Sequence, residues 1–123
     1  MAKHNQIGRW GEDVACEALV RKGYAIVERN WRMAHYEIDI IAMKDDFIVF
    51  VEVKTREDPD IDPLEALDER KIARIGASAQ TYMTHFDTHR QARFDVFAIN
   101  GSPSDYRVEH IEDAFWPRIK TYH

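Results

Sequence analysis

Cysteine is almost absent from this chain. Cys16 is the only one, which excludes an internal disulfide and any zinc site built on cysteine thiolates. It stands beside Ala15 in a helical stretch and reads as a small buried residue, not a nucleophile; a reducing cytoplasm fits it best. The six histidines show no metal-ligand spacing of the His-x-x-x-His kind. No run of about 18 apolar residues occurs, and no apolar signal segment opens the chain, so neither membrane insertion nor secretion is expected. An excess of basic charge is missing as well. With 17 Lys and Arg against 22 Asp and Glu, the net charge is −5, unlike that of a typical nucleic-acid binder.

What is present organises itself around Glu37–Thr55, EIDIIAMKDDFIVFVEVKT. Residues 37–43 and 47–55 read as two strands, rich in Ile, Val and Phe, joined at Lys44-Asp45-Asp46. A two-residue turn at Asp45-Asp46 sets Lys44 opposite Phe47, Ile41 opposite Phe50, Asp39 opposite Glu52 and Glu37 opposite Lys54. Alternation then places Ile38, Ile40, Ala42, Val49, Val51 and Val53 on one wholly apolar face. The other face carries Glu37, Asp39, Glu52 and Lys54, with Ile41 and Phe50 beside them. Opposed Cβ atoms lie roughly 4.5–5.5 Å apart, close enough for two carboxylates to hold one divalent ion. A half-solvated sheet with a Glu–Lys cross-strand pair is the plainer alternative. Against it, IVFVEV is nearly continuous in apolar residues, and directly opposed carboxylates repel unless a cation lies between them.

At 123 residues and 45% hydrophobic content, the chain is expected to form one domain over residues 1–123, its core spanning about 7–116. The first helix is expected from Asn5 or Gln6 to Lys22, with Asn5 as N-cap and Ile7, Gly11, Val14, Ala15, Ala18 and Leu19 as its buried stripe. Gly23 ends it in a left-handed conformation. Glu12, beside that stripe, has two readings: a first-turn acid complementing the helix dipole, or a carboxylate leaning towards Asp39. Tyr24–Trp31 reads as a strand, followed by an irregular link in which His35 and Tyr36 lie at the mouth of the acidic strand.

Residues 56–69, REDPDIDPLEALDE, hold seven acids, one base and two prolines and read as an exposed acidic loop. A second helix follows from Asp68 or Glu69 to about Phe86, with Ile72, Ile75, Ala79, Tyr82, Met83 and Phe86 at helical period. Lys71, Arg74 and Ser78 form a polar strip beside it; Lys71 and Arg74 are either a solvated edge or phosphate contacts. Arg93–Ile99 and Asp105–Ile111 are further strands around a turn at residues 100–104, and Glu112–Trp116 is a closing turn or short helix stopped by Pro117. The expected order is αβββαββ, an α/β fold with a mixed central sheet flanked by helices.

Asp39 followed by Glu52-Val53-Lys54 on a neighbouring strand matches the PD-(D/E)xK nuclease signature, with Ile38 where that name has proline. Gly8-x-x-Gly11-Glu12, Gly23-Tyr24, Arg29-Asn30-Trp31-Arg32, Phe50 to Arg56, Lys71 and Arg93-Phe94-Asp95-Val96 add to it. Together, from about Ile7 to Phe115, they resemble the bacterial YraN family, an uncharacterised group with a restriction-endonuclease-like fold. The resemblance implies a core similar to archaeal Holliday-junction resolvases, with catalytic roles for Glu12, Asp39, Glu52 and Lys54. It departs from the family at Tyr36, where glycine is usual; a ring there would narrow the site or stack on a base.

The function expected is a Mg²⁺-dependent or Mn²⁺-dependent nuclease cutting phosphodiester bonds in DNA, branched or repair intermediates among them. Asp39, Glu52 and the Val53 carbonyl would bind the metal weakly. Arg56, Lys71, Arg74 and Tyr36 would meet the substrate. A homodimer is compatible with this reading; a membrane partner is not. The alternatives are a nucleic-acid-binding module without catalysis and a sheet whose charged face is only a salt-bridge network.

Overall fold

The computed structural model describes residues 2–57, 62–65 and 67–119, with backbone alone at 2–5 and 7. The Ile7 side chain and residues 58–61 and 66 of the acidic stretch lie outside this description. Helix α1 (Ala2–Arg21) leads into strands β1 (Ala25–Met33), β2 (Tyr36–Lys44) and β3 (Phe47–Arg56). Helix α2 (Glu69–His85) then connects to β4 (Gln91–Ser102) and β5 (Asp105–Ile111). The strands form one mixed sheet in the order β1-β2-β3-β4-β5. Only β3 and β4 are parallel, as two strands separated by a helical crossover must be when they run the same way.

Each face of the sheet is closed by one helix. Ala15, Cys16 and Leu19 of α1 pack on Ile40, Ala42, Val49, Val51, Phe97 and Ile99. On the opposite face Ile75, Ala79, Tyr82 and Met83 of α2 pack on Ile41, Ile48, Phe50, Phe94 and Val96. The sheet is therefore covered on both sides, which explains why β3 reads as an almost unbroken apolar run. Among the described residues no helix is long and apolar enough to cross a membrane.

The turns follow from their residues. Asp45 takes a left-handed conformation (φ 54°), and Lys44 pairs with Phe47, so the β2–β3 hairpin turns on two residues. Gly23 (φ 94°) ends α1, with the Tyr24 amide donating to the Leu19 carbonyl. Asp68 caps α2, its carboxylate accepting from the Lys71 amide at 2.8 Å.

Several expectations need correction. Helix α1 begins at Ala2, so Asn5 lies inside it and is not its N-cap. The supposed irregular link before Glu37 is a tight turn at Ala34-His35, with Met33 paired to Tyr36. Ala34 adopts φ 54° there, a conformation alanine does not advertise. Strand β4 runs on to Ser102, leaving only Pro103-Ser104 as the turn into β5. Phe86 is exposed, because α2 stops one residue earlier and the ring rests on Tyr82 at 4.6 Å. After the turn at Glu112-Asp113, residues 114–119 run without helix. Phe115 is buried against Phe94, and a Cβ on Gly76 would lie 2.5 Å from Pro117 Cβ.

Gly11 sets how closely α1 approaches the sheet: a Cβ there would run into the Thr55 methyl on β3. Gly11→Ala should therefore lower stability by about 1 kcal/mol despite alanine's better helix propensity. Adding Thr55→Ser, which removes that methyl, should restore most of the loss in a urea-denaturation double-mutant cycle. Purely additive effects would mean that α1 and β3 do not meet at this point.

Candidate active site

The β2–β3 ladder runs from Lys44 and Phe47 back to Ile40 and Val51, and stops there. Asp39 is the next residue. Freed from strand pairing, its carboxylate turns into the opening and accepts a hydrogen bond from the Val53 amide at 2.9 Å. The Glu52 carboxyl is its hydrogen-bonded neighbour. The two acids thus lie on adjacent antiparallel strands and meet, as the sequence pattern predicts. The apolar alternation around them is less regular than expected. Ile38 joins Trp31, Ile41 and Phe50 beneath α2 and leaves Ile40 on the α1 side, because the strand departs from its neighbour at Asp39.

The electrostatics of the pair follow from burial. Asp39 is pushed up to about 8, first by desolvation, then by its hydrogen bond and repulsion with Glu52, with the Val53 amide opposing. Burial and the neighbouring Glu52 therefore favour the protonated form of Asp39. Glu52 is compensated on its other side by Lys71 of α2, whose Nζ lies 3.2 Å from its carboxylate.

Glu12 reaches the same region from α1. Its carboxylate accepts from Asn30 Nδ2, and its pKa is raised by burial, with the Asn30 bond acting against the shift. Asn30 has φ 52° within β1, a conformation asparagine tolerates well. Glu12 and Asp39 share an open cleft of about 560 Å³ with Arg9, Asn30 and Arg32. Asp39 also borders a small depression on the α2 side, with Glu52, Lys71 and Arg74. Among the described residues, no three His, Cys, Asp or Glu side chains converge tightly enough to hold a metal ion together.

The remaining expected site residues are spread more widely. Lys54 shares the face of Glu52 by strand alternation and is half-buried. Glu37 pairs with Arg32 at 3.6 Å, not with Lys54 as the register alone suggests, since the strands have parted by that level. Arg56 donates to the Asp62 carbonyl at 3.1 Å, which ties it to the following loop. Arg74 is exposed beside Lys71 and lines a second open depression with Asp68 and Arg70. The Tyr36 ring packs at the edge of the α2-side core, with His35 against it at 4.3 Å between ring centres.

A second polar cluster was not assigned any role from sequence. Asp95 is fully buried. It accepts from Arg93 Nε at 3.0 Å and Nη2 at 2.8 Å, from His110 Nε2 at 2.7 Å and from the Asp113 amide at 3.0 Å. Burial pushes its carboxyl up, but these donors outweigh it and hold the group below the usual carboxylate range. Arg93 also donates to the Tyr24 hydroxyl, which donates to Glu112 at 3.0 Å. Lys22 Nζ lies 2.9 Å from His110 Nδ1; an ammonium can only donate, so the ring proton belongs on Nε2. The cluster locks the end of α1 to β4 and β5. Its one sequence signal is Arg93 and Asp95 spaced to share a strand face.

Residues 11–99 match the uncharacterised protein family UPF0102. The chain belongs to that family. It is 43% identical over 120 residues to a UPF0102 protein of Bacteroides fragilis, covering 97% of this chain and 99% of the relative. A UPF0102 protein of Parabacteroides distasonis is 44% identical over 117 residues, covering 94% and 97%. One from Prosthecochloris aestuarii is 43% identical over 120 residues, covering 91% and 94%. This is the family whose motifs the sequence carries under the name YraN.

The raised Asp39 pKa has a measurable consequence. The folded protein keeps a proton that the unfolded chain releases near pH 4. Stability of the metal-free protein should therefore fall as pH rises from about 4 to about 8, by at most about 1.4 kcal/mol per pH unit, and level off above. Asp39→Asn should flatten this slope and melt higher than the wild type at pH 8. Parallel melting curves for the two proteins across that window would contradict the buried pair.

Proposed function

We propose that this chain is a divalent-metal-dependent nuclease with a restriction-endonuclease-like core, acting on phosphodiester bonds in DNA. The observation that carries the reading is the meeting of Asp39 and Glu52 where β2 and β3 part, with Lys54 next on the Glu52 face. Two partly buried carboxyls brought together are an unfavourable arrangement by themselves. A hard divalent cation would relieve it, and oxygen donors of this kind suit Mg²⁺ or Mn²⁺. With no third carboxylate convergent among the described residues, the donors would be Asp39, Glu52 and the Val53 carbonyl. Water would complete the set, which fits a weakly held Mg²⁺. When bound, such an ion lowers the pKa of a coordinated water and offsets phosphate charge.

The chain's own residues supply the rest. Lys54, two residues beyond Glu52, would orient the attacking water or hold charge on the phosphate. Glu12, with its pKa raised by burial and its carboxylate held by Asn30, is suited to proton transfer at the cleft edge. Arg9 and Arg32 on one side of Asp39 and Lys71 and Arg74 on the other set four bases against the four acids that line the two openings, Glu12, Glu37, Asp39 and Glu52, so the local surface is balanced and not acidic. The overall charge of −5 does not describe this surface. The lack of a third convergent carboxylate also supports a second reading, a nucleic-acid-binding module that retains the nuclease core without cutting.

Cleavage of single-stranded, duplex and branched DNA and RNA with Mg²⁺ or Mn²⁺ separates the two. Lys54→Ala should reduce cleavage by on the order of 10²–10⁴-fold with the fold intact. Arg74→Ala should instead weaken binding and make its salt dependence shallower by about one charge. If the wild type cuts no substrate and Lys54→Ala changes only the melting temperature, the nuclease reading falls.

A further inference from the structure

Lys71 lies near the start of α2, three residues after the capping Asp68. Its ammonium lies 3.2 Å from Glu52, whose side chain is only 12% exposed, while Lys71 itself is 35% exposed. It therefore supplies the positive charge that answers Glu52 in the free protein.

The surroundings give Lys71 a second place to go. It borders both the depression that holds Asp39 and Glu52 and an adjoining open one of about 500 Å³ lined by Asp68, Arg70, Lys71 and Arg74. The one acid among the described residues that line it, Asp68, already accepts from the Lys71 amide. A lysine side chain has four flexible carbons and loses little by changing rotamer. A change of rotamer is the motion that release from Glu52 would require.

We infer that Lys71 neutralises Glu52 in the free protein, yields that place to a divalent cation, and once released becomes a contact for nucleic-acid phosphate. Metal binding and phosphate binding are thereby coupled through one side chain. The inference rests on the nuclease reading of the site. Coupling is reciprocal, so nucleic acid must also strengthen metal binding. Lys71 is a positioning and phosphate-binding residue here, distinct from Lys54.

The test is calorimetric titration with Mn²⁺, using wild type, Lys71→Met, Lys71→Arg and Asp39→Asn. Lys71→Gln replaces the methionine variant if that one misfolds by circular dichroism. Removing the competing charge should tighten Mn²⁺ binding at least about fivefold, the lower end of ordinary coupling, and Lys71→Arg should stay near wild type. A second arm measures binding of fluorescein-labelled duplex DNA in Ca²⁺ and in EDTA. Ca²⁺ should strengthen wild-type binding, and Lys71→Met should lose most of that gain. Equal or weaker Mn²⁺ affinity in Lys71→Met, with wild-type binding still abolished by Asp39→Asn, overturns the displacement and leaves the metal site standing. If the wild type shows no Mn²⁺ binding that depends on Asp39, the site reading itself fails and this inference fails with it.

Discussion

The structure around the candidate site depends on one hydrogen bond, from the Val53 amide to the Asp39 carboxylate at 2.9 Å. It forms because the β2–β3 ladder ends at Ile40 and Val51, leaving a strand amide in need of an acceptor. Asp39 supplies it and is drawn between the strands, against Glu52. Without that bond the carboxylate would have no reason to occupy a position where burial and repulsion both raise its pKa. The strain of the pair is therefore local, and the cost of keeping it is met by the apolar packing on both sides of β3. Val49 and Val51 are buried beneath α1, and Phe50 is buried beneath α2.

Two further features hold this geometry in place. Gly11 allows α1 to approach Thr55 and Val53 at the end of β3, which brings Glu12 to the cleft one residue later. On the same side of the sheet, Asp95 lies in register with Val51 and is bonded to Arg93, His110 and the Asp113 amide. A buried carboxylate satisfied on all sides resists displacement, since removing one partner leaves an uncompensated charge. Strand β4, which is the parallel neighbour of β3, is thus fixed to β5 and to the end of α1. The polar cluster acts as a clamp on the scaffold, while the carboxylate pair sets two acids of like charge against each other.

Much of this was legible in the residues, for identifiable reasons. The β2–β3 register could be read because Ile and Val alternate with acids on both strands and Asp45-Asp46 suits a two-residue turn. The meeting of Asp39 with Glu52 followed from it. The displacement of Ile38 to the other face did not, because alternation assumes a continuing ladder and this one ends. The turn at Ala34-His35 was hidden because alanine carries no signal for a left-handed conformation. Lys71 was legible as basic and near the site, but its pairing with Glu52 depends on where α2 lies on the sheet, a long-range fact. His110 was the least legible. It lies near the end of a mostly exposed edge strand, and only the fold brings it to Asp95.

The central claim is that Asp39 and Glu52 are a divalent-cation site waiting at the end of a broken strand ladder. Crystals soaked in Mn²⁺ and measured at the manganese absorption edge test it directly. The account predicts an anomalous peak between the two carboxylates, in reach of the Val53 carbonyl, with the Lys71 ammonium no longer on Glu52. A soaked crystal with manganese bound elsewhere, or nowhere, and the Lys71–Glu52 ion pair intact would contradict it.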